Sequence, residues 1–169
     1  MTALRHVLAI LLLPVMMTLI IPSAIIATTD SLHVGWMWPA PFNVLAALAG
    51  ILLIGLGLVL VVATIRLFAT IGRGTLAPWS PTRKLVVRGV YRHVRNPMIS
   101  GVFSILLGEA VLLGSTSLLS WFIIFVIVNL IYIPWFEEPG LEQRFGIDYL
   151  RYKQHVPRWI PRRTLWSMS

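Results

Sequence analysis

Two polar clusters stand directly against long apolar runs in this chain. The first is Gly89–Gly101, which holds Arg92 and Arg95, and the second is Glu137-Glu138-Pro139. Ionisable groups at membrane depth are rare and usually functional. The apolar segments between the clusters predict a helical hairpin, which returns the chain to the end where it began. Both clusters therefore come to one end of the hairpin and form a candidate site.

The first cluster has the features of an anion-binding helix start. Pro97 suits the first helical turn because its missing N–H would lack a partner there. Asn96 can cap that helix, and Gly101 permits close approach of a backbone or a ligand. A helix N-terminus beside arginines favours an anion. The alternative is that Arg92 and Arg95 only set the membrane topology, which would leave the Asn-Pro start and the glycine unexplained.

The second cluster offers carboxylates. Consecutive helical residues point about 100° apart, so one of Glu137 and Glu138 can face the bundle while the other meets an arginine. Such a carboxylate can accept hydrogen bonds from ribose hydroxyls or an ammonium group. The structural alternative is an interfacial charge near the start of the next helix. Tyr149 and Tyr152 lie on an apolar stripe, where packing is the default role, but their hydroxyls can reach a polar ligand.

Composition places these clusters in a membrane protein. The 169 residues are 57% hydrophobic and 12% charged, with mean hydropathy +0.84, whereas soluble domains are about 25% charged. The net charge of +8 lies beside apolar segments, which fits anionic lipid headgroups rather than nucleic acid. The chain has no cysteine, which excludes thiolate chemistry, and its four histidines lack metal-ligand spacing, so we expect no metal.

The elements that position the clusters are helices. We predict an all-α polytopic membrane protein in one domain, 1–169, with spans at about 4–27, 42–69, 98–113 and 118–136. An amphipathic cytoplasmic helix at 139–156 follows the hairpin formed by the last two spans. The third span is short and contains Glu109, so a tilted or partly re-entrant segment remains an alternative to a full span. All fourteen Lys and Arg residues fall on one side of four spans, which predicts that both termini are cytoplasmic. We expect a bacterial inner membrane.

At these motifs the chain resembles the integral-membrane methyltransferases of the isoprenylcysteine carboxyl methyltransferase and phospholipid methyltransferase superfamily. The resemblance covers roughly residues 81–161. It rests on Gly89-x-Tyr91-Arg92-x-x-Arg95-x-Pro97, Gly101, Glu137-Glu138, Leu141-x-x-x-Phe145-Gly146-x-x-Tyr149-x-x-Tyr152, and Val156-Pro157. Where members typically show Arg-His-Pro-x-Tyr, this chain has Arg95-Asn96-Pro97-Met98-Ile99.

The resemblance implies a helical enzyme that binds S-adenosyl-L-methionine between the last membrane hairpin and the C-terminal helices, and that methylates a lipid or lipidated acceptor. The residues themselves agree, because arginines, a helix N-terminus and carboxylates complement the charged groups of that cofactor. We assign catalytic roles to Arg95, Glu138 and Arg144. The predicted cofactor-binding residues are Tyr91, Arg92, Arg95, Asn96, Pro97, Gly101, Glu137, Glu138, Tyr149 and Tyr152.

The acceptor stays open between two chemistries. Carboxyl O-methylation of an isoprenylcysteine-like substrate is the leading hypothesis, and N-methylation of a phospholipid amine is the alternative. A third hypothesis, from another functional class, is a small non-enzymatic membrane protein that uses its basic loop for lipid contact and its glutamates for docking.

Overall fold

Helices make up the ordered elements of this computed structural model, which describes residues 14–29, 33–68, 70 and 85–167 and shows no strand among them. Short 3-10 turns occupy Val34–Met37 and Gly89–Arg92. The helices within the described ranges are α1 Met16–Thr29, α2 Phe42–Leu67, α3 Pro97–Leu113, α4 Thr116–Phe145 and α5 Ile147–His155. The all-α prediction is confirmed for these residues.

Two of these helices, α2 and α4, are long and apolar enough to cross a membrane. Their mean hydropathies over the most apolar stretch are 2.9 and 2.2, and only 17% of each stretch is buried. The core helix of a soluble protein would be mostly buried, whereas these helices expose leucine, isoleucine and valine. Helices α1 and α3 are apolar but shorter. Helices α2, α3 and the first part of α4 coincide in position with the segments predicted as the second, third and fourth spans. Residues 1–13, which include the start of the first predicted span, lie outside the described residues.

Helix α4 continues past the point where the fourth span was predicted to close. A π-turn at Ile133–Glu137, in which the Glu138 N–H donates to the Ile133 carbonyl, carries the helix on to Phe145. Proline lacks the N–H for an ordinary helical hydrogen bond, and a π-turn is one way in which a helix adjusts around it. The pair Glu137-Glu138 therefore lies within a continuous helix rather than at its end.

The tail forms two helical pieces where one helix, 139–156, was predicted. The break falls at Gly146, whose φ of +56° and ψ of −131° are essentially restricted to glycine. The predicted apolar stripe is nevertheless buried. Tyr149, Tyr152 and Val156 form a core cluster, against which Leu85, Val87, Leu141, Phe145 and Trp166 pack.

The described residues fall into two compact units. The first draws on 60–100 and 130–169, and the second on 13–59 and 101–129. In the second unit, a Cβ on Gly57 of α2 would lie 2.5 Å from the Gly101 carbonyl oxygen of α3, so only glycine fits this approach. Ser104 adds a hydrogen bond of 2.7 Å to the Leu53 carbonyl. All candidate site residues except Gly101 belong to the first unit.

Candidate functional site

The chain that leads into α3 delivers an arginine into the interior of the first unit. Helix α3 begins at Pro97, as predicted. The Asn96 carbonyl accepts hydrogen bonds of 3.0 Å from both the N–H and the hydroxyl of Ser100. Arg95 lies immediately before this helix start, and its side chain is only 9% exposed.

A buried ion pair joins the two polar clusters. Arg95 Nη1 donates to Glu138 Oε1 at 2.8 Å, and the Glu138 side chain is 2% exposed. Arg158 adds a fork, with Nε at 2.7 Å from Oε1 and Nη2 at 3.0 Å from Oε2. Lys153 Nζ lies 3.1 Å from Glu138 Oε2 and 2.7 Å from Glu142 Oε1. We call these five side chains the ion-pair group.

The ion-pair group holds an excess of positive charge. Arg95, Lys153 and Arg158 stand against Glu138 and Glu142, which leaves one positive charge over among these described residues. Hydrogen bonds to Glu142 and Glu138 raise the pKa of Lys153, and the hydrogen bond to Glu138 raises the pKa of Arg158. Both side chains are therefore cationic at physiological pH.

The donors around Glu138 fill its acceptor positions. A carboxylate offers about four lone-pair sites, and its two oxygens here meet Arg95 Nη1, the two donors of Arg158 and Lys153 Nζ. In contrast, Arg95 Nε is buried and has no hydrogen-bond partner among the described atoms. Buried donors are nearly always paired, so this N–H is available to a bound anion.

Three buried tyrosines surround the same region of the first unit. The Tyr152 hydroxyl donates to the Tyr91 carbonyl at 2.7 Å, which holds α5 against the turn before Arg95. Burial raises the pKa of Tyr149 to about 12, and the negative charge of Glu138 adds to this effect. Burial also raises the pKa of Tyr91 and of Tyr152. Their hydroxyls are therefore neutral at physiological pH. Tyr149 and Tyr152 pack in the core cluster, and Tyr149 also hydrogen-bonds Arg95, whereas their contacts with a ligand stay predictions.

Several predicted site residues have other surroundings. Arg92 Nε donates to the Trp166 carbonyl at 2.7 Å. The side chain of Glu137 is exposed, as is that of Arg144, whose guanidinium lies 5.9 Å from the centroid of the Phe145 ring. Gly101 is in the second unit, at the contact of α2 with α3. Their roles in ligand binding or catalysis stay predictions.

Comparison with known families decides the class of this chain. Residues 45–148, more than half of the sequence, match the family described as phospholipid methyltransferase. The chain belongs to that family. This confirms the resemblance to the superfamily of membrane methyltransferases. No curated protein sequence and no solved structure matches the chain.

The ion-pair group of this phospholipid methyltransferase family member extends beyond the matched region. Arg95, Glu138 and Glu142 lie within it, whereas Lys153 and Arg158 follow its last residue. Neither residue was among the predicted site residues. The sequence position of Lys153 could have indicated a place near the site, since it lies one helical turn after Tyr149 and borders the apolar stripe. No helical spacing could have indicated Arg158, because it lies in irregular chain after Pro157.

The irregular C-terminal residues 157–167, here called the C-terminal strap, run along the chain that precedes α3. Hydrogen bonds pair the two segments, and Trp166 also stacks on His155 at the end of α5, with ring centroids 5.3 Å apart. The pairs are Arg95 N–H to Pro157 O (2.9 Å), Arg162 N–H to His93 O (3.0 Å), His93 Nδ1 with Arg162 O (2.8 Å) and Trp166 N–H to Arg92 O (3.4 Å). Arg158 reaches Glu138 from this strap.

Proposed function

We propose that this chain transfers a methyl group from S-adenosylmethionine to an acceptor embedded in the membrane. The observation that carries the proposal is the buried Arg95–Glu138 pair, which joins two separate motifs within the matched family region. A buried ion pair contributes little net stability, because desolvation offsets the attraction. A ligand site would explain why the chain buries this pair, whereas the alternative of a non-enzymatic membrane protein offers no such explanation.

The residues of the site fit the charged groups of that cofactor. Arg95 has a buried Nε without a partner, and an arginine fork matches a carboxylate such as that of the methionyl group. Glu138 suits the ammonium group or the ribose hydroxyls, and Asn96-Pro97 at the start of α3 is a suitable position for an anion. The remaining predicted contacts, Tyr91, Arg92, Gly101, Glu137, Tyr149 and Tyr152, are part of this proposal.

The protein would have to position the cofactor and the acceptor and exclude water from them. S-adenosylmethionine supplies a methyl carbon that its sulfonium already activates, so the transfer needs no dedicated acid or base when the acceptor is a carboxylate. Arg95 and Glu138 would hold the cofactor, and buried tyrosines would exclude water around it. Arg144 is the proposed cation for the acceptor, because its guanidinium is exposed and has no ion pair among the described residues.

For the acceptor we propose a carboxylate attached to a lipid chain, as in an isoprenylcysteine. Its oxygen forms a bond to the methyl carbon while the carbon–sulfur bond breaks, and the bonding electrons stay on sulfur. The excess positive charge of the ion-pair group favours such an anionic acceptor. The alternative is N-methylation of a phospholipid amine, which the name of the matched family favours. The amine must be neutral to attack, so its ammonium form must first give up a proton, and the exposed Glu137 carboxylate is the candidate acceptor of that proton.

We also propose that the chain crosses the membrane four times and has both termini in the cytoplasm. Helices α2 and α4 support two crossings by length and composition, and α1 and α3 are apolar helices. The one-sided distribution of Lys and Arg supports the orientation. The bacterial inner membrane stays a prediction.

The acceptor can be identified with the purified full chain in proteoliposomes that contain membrane lipid extract and methyl-tritiated S-adenosylmethionine. We expect the label to enter the lipid fraction, and an Arg95→Ala variant to transfer almost none. Base treatment distinguishes the two chemistries, because a methyl ester releases volatile methanol whereas an N-methyl group stays on the lipid. Label that resists base would contradict the carboxylate acceptor, and absence of label from every lipid would contradict the activity itself.

A further inference from the structure

The hydrogen bonds that Glu138 already accepts conflict with its proposed role of binding an ammonium group or hydroxyls of the cofactor. Its two oxygens already meet four donor atoms, which is about the capacity of a carboxylate. A ligand ammonium or hydroxyl can therefore reach Glu138 only if one of the present donors leaves.

Arg158 is the donor whose release frees most of Glu138. Arg95 is 9% exposed and is anchored just before α3, whereas the Arg158 side chain is 27% exposed and lies in irregular chain. Lys153 is also accessible, but it donates one bond to Glu138 from within α5, so its departure frees a single acceptor position. The Arg158 fork uses both oxygens, and its release frees two.

Backbone hydrogen bonds attach the strap on both sides of Arg158. Pro157 O accepts from Arg95 N–H, and Arg162 N–H donates to His93 O. The strap is also held by the hydrogen bonds of Arg162 with His93 and His155, and Trp166 packs on Tyr152 and His155 and accepts from Arg92. The strap is nevertheless irregular chain without helical hydrogen bonds of its own, and such segments open at a lower free-energy cost than the helices on which they pack.

We infer that the C-terminal strap is a latch, in which Arg158 occupies at Glu138 the place of a cationic or hydroxyl group of the ligand and is displaced when that ligand binds. The inference rests on the proposed function and assigns a control element to the same site. A closed latch lowers the apparent affinity, because only the open fraction of the protein binds.

The latch predicts an affinity change opposite to that expected for a contact residue. Arg158→Gln should bind S-adenosylhomocysteine more tightly than the wild type, by roughly five- to tenfold if the latch is mostly closed, as measured by calorimetry on the full chain in detergent. Arg163→Gln is the matched control, an exposed arginine of the same strap, and should bind like the wild type. Weaker or unchanged binding in Arg158→Gln would overturn the latch.

A second measurement keeps Arg158 in place and so does not depend on the folding of the Arg158→Gln variant. The chain has no cysteine, so a spin label can be attached uniquely at Leu165→Cys, an exposed strap position. Saturating S-adenosylhomocysteine should increase the mobility of this label. A bound ligand that leaves the label unchanged, or restrains it further, would overturn the latch alone. No binding to the wild type would overturn the proposed function as well.

Discussion

The side chains of the ion-pair group depend on one another for their charge partners. Glu138 is surrounded by cations, so loss of its charge leaves Arg95 buried without a counterion, and loss of Arg95 removes the donor that is still free at Nε. Removing one partner of a buried pair costs more than the intact pair contributes. The two residues should therefore show large effects on binding even when the substitution conserves size.

The residue-scale prediction concerns these two positions. Arg95→Lys keeps the charge but loses the fork, and should weaken S-adenosylhomocysteine binding by roughly ten- to a hundredfold, the equivalent of about 1.5–3 kcal/mol for a charge-assisted hydrogen bond. Glu138→Gln should weaken it on the same scale, because the ligand loses its carboxylate even though Arg158 is released. Calorimetry in detergent measures both.

The control is Glu109→Gln in α3, a half-buried side chain of the second unit. It should bind with wild-type affinity, and thermal unfolding should show that all three variants are folded. Unchanged affinity in both Arg95→Lys and Glu138→Gln would remove this pair from the cofactor site.

At the scale of elements, the break between α4 and α5 positions the ion-pair group. Glu138 and Glu142 lie in α4, and Lys153 lies in α5, so their contacts depend on the change of direction at Gly146. The Gly146 N–H still donates to the Glu142 carbonyl at 2.8 Å, which closes the last turn of α4. The glycine conformation is thus the local feature that lets two helices share one charged cluster.

Substitution of Gly146 tests this element directly. A Cβ at Gly146 or at Gly140 would meet no heavy atom within 4 Å, so the two positions differ in backbone conformation rather than in space. Gly146→Ala should lower stability by about 1–3 kcal/mol, because alanine is strained at this φ and ψ, and should also weaken S-adenosylhomocysteine binding. Gly140→Ala, within α4, should raise stability by up to ~1 kcal/mol. Thermal unfolding followed by tryptophan fluorescence compares them, and equal melting temperatures would contradict the argument.

For the whole molecule, charge asymmetry and helix length point to the same arrangement in the membrane. Helices α2 and α4 expose most of their apolar surface, as lipid-facing helices do. Basic residues flank the apolar segments on one predicted side only. The proposed site, the strap and both termini would then face the cytoplasm, where S-adenosylmethionine is made and the acceptor head group is accessible.

Cysteine labelling in intact cells tests this arrangement, because the chain offers a cysteine-free background. A single cysteine at His33, an exposed residue between α1 and α2, should react with an impermeant thiol reagent from outside. A single cysteine at Ser167 should react only after permeabilisation. Labelling of Ser167→Cys from outside would refute the proposed orientation.

The sequence by itself determined the helical class, most helix positions and the convergence of the two polar clusters. Apolar segments of membrane-spanning length can satisfy their backbone only as helices, and Pro97 marks a helix start by local chemistry. A short turn between two helices makes them antiparallel neighbours, so Arg95 and Glu138 were expected at one end without knowledge of any contact. Each of these inferences depends on interactions within a few residues or on a simple return of the chain.

Only the tertiary structure decided how the site is completed. The continuation of α4 past Pro139 depends on a π-turn, and the hydrophobic pattern of an α-helix carries no sign of it. The convergence of Lys153 and Arg158 on Glu138 depends on the path of irregular chain after Val156, and any of the fourteen basic residues could satisfy the same carboxylate by charge alone. Geometry selects which long-range ion pairs form, because charge attraction has no preferred direction. The sequence does not show the path that the chain takes between the charged residues. The strap and the fully occupied carboxylate at Glu138 therefore follow from the fold.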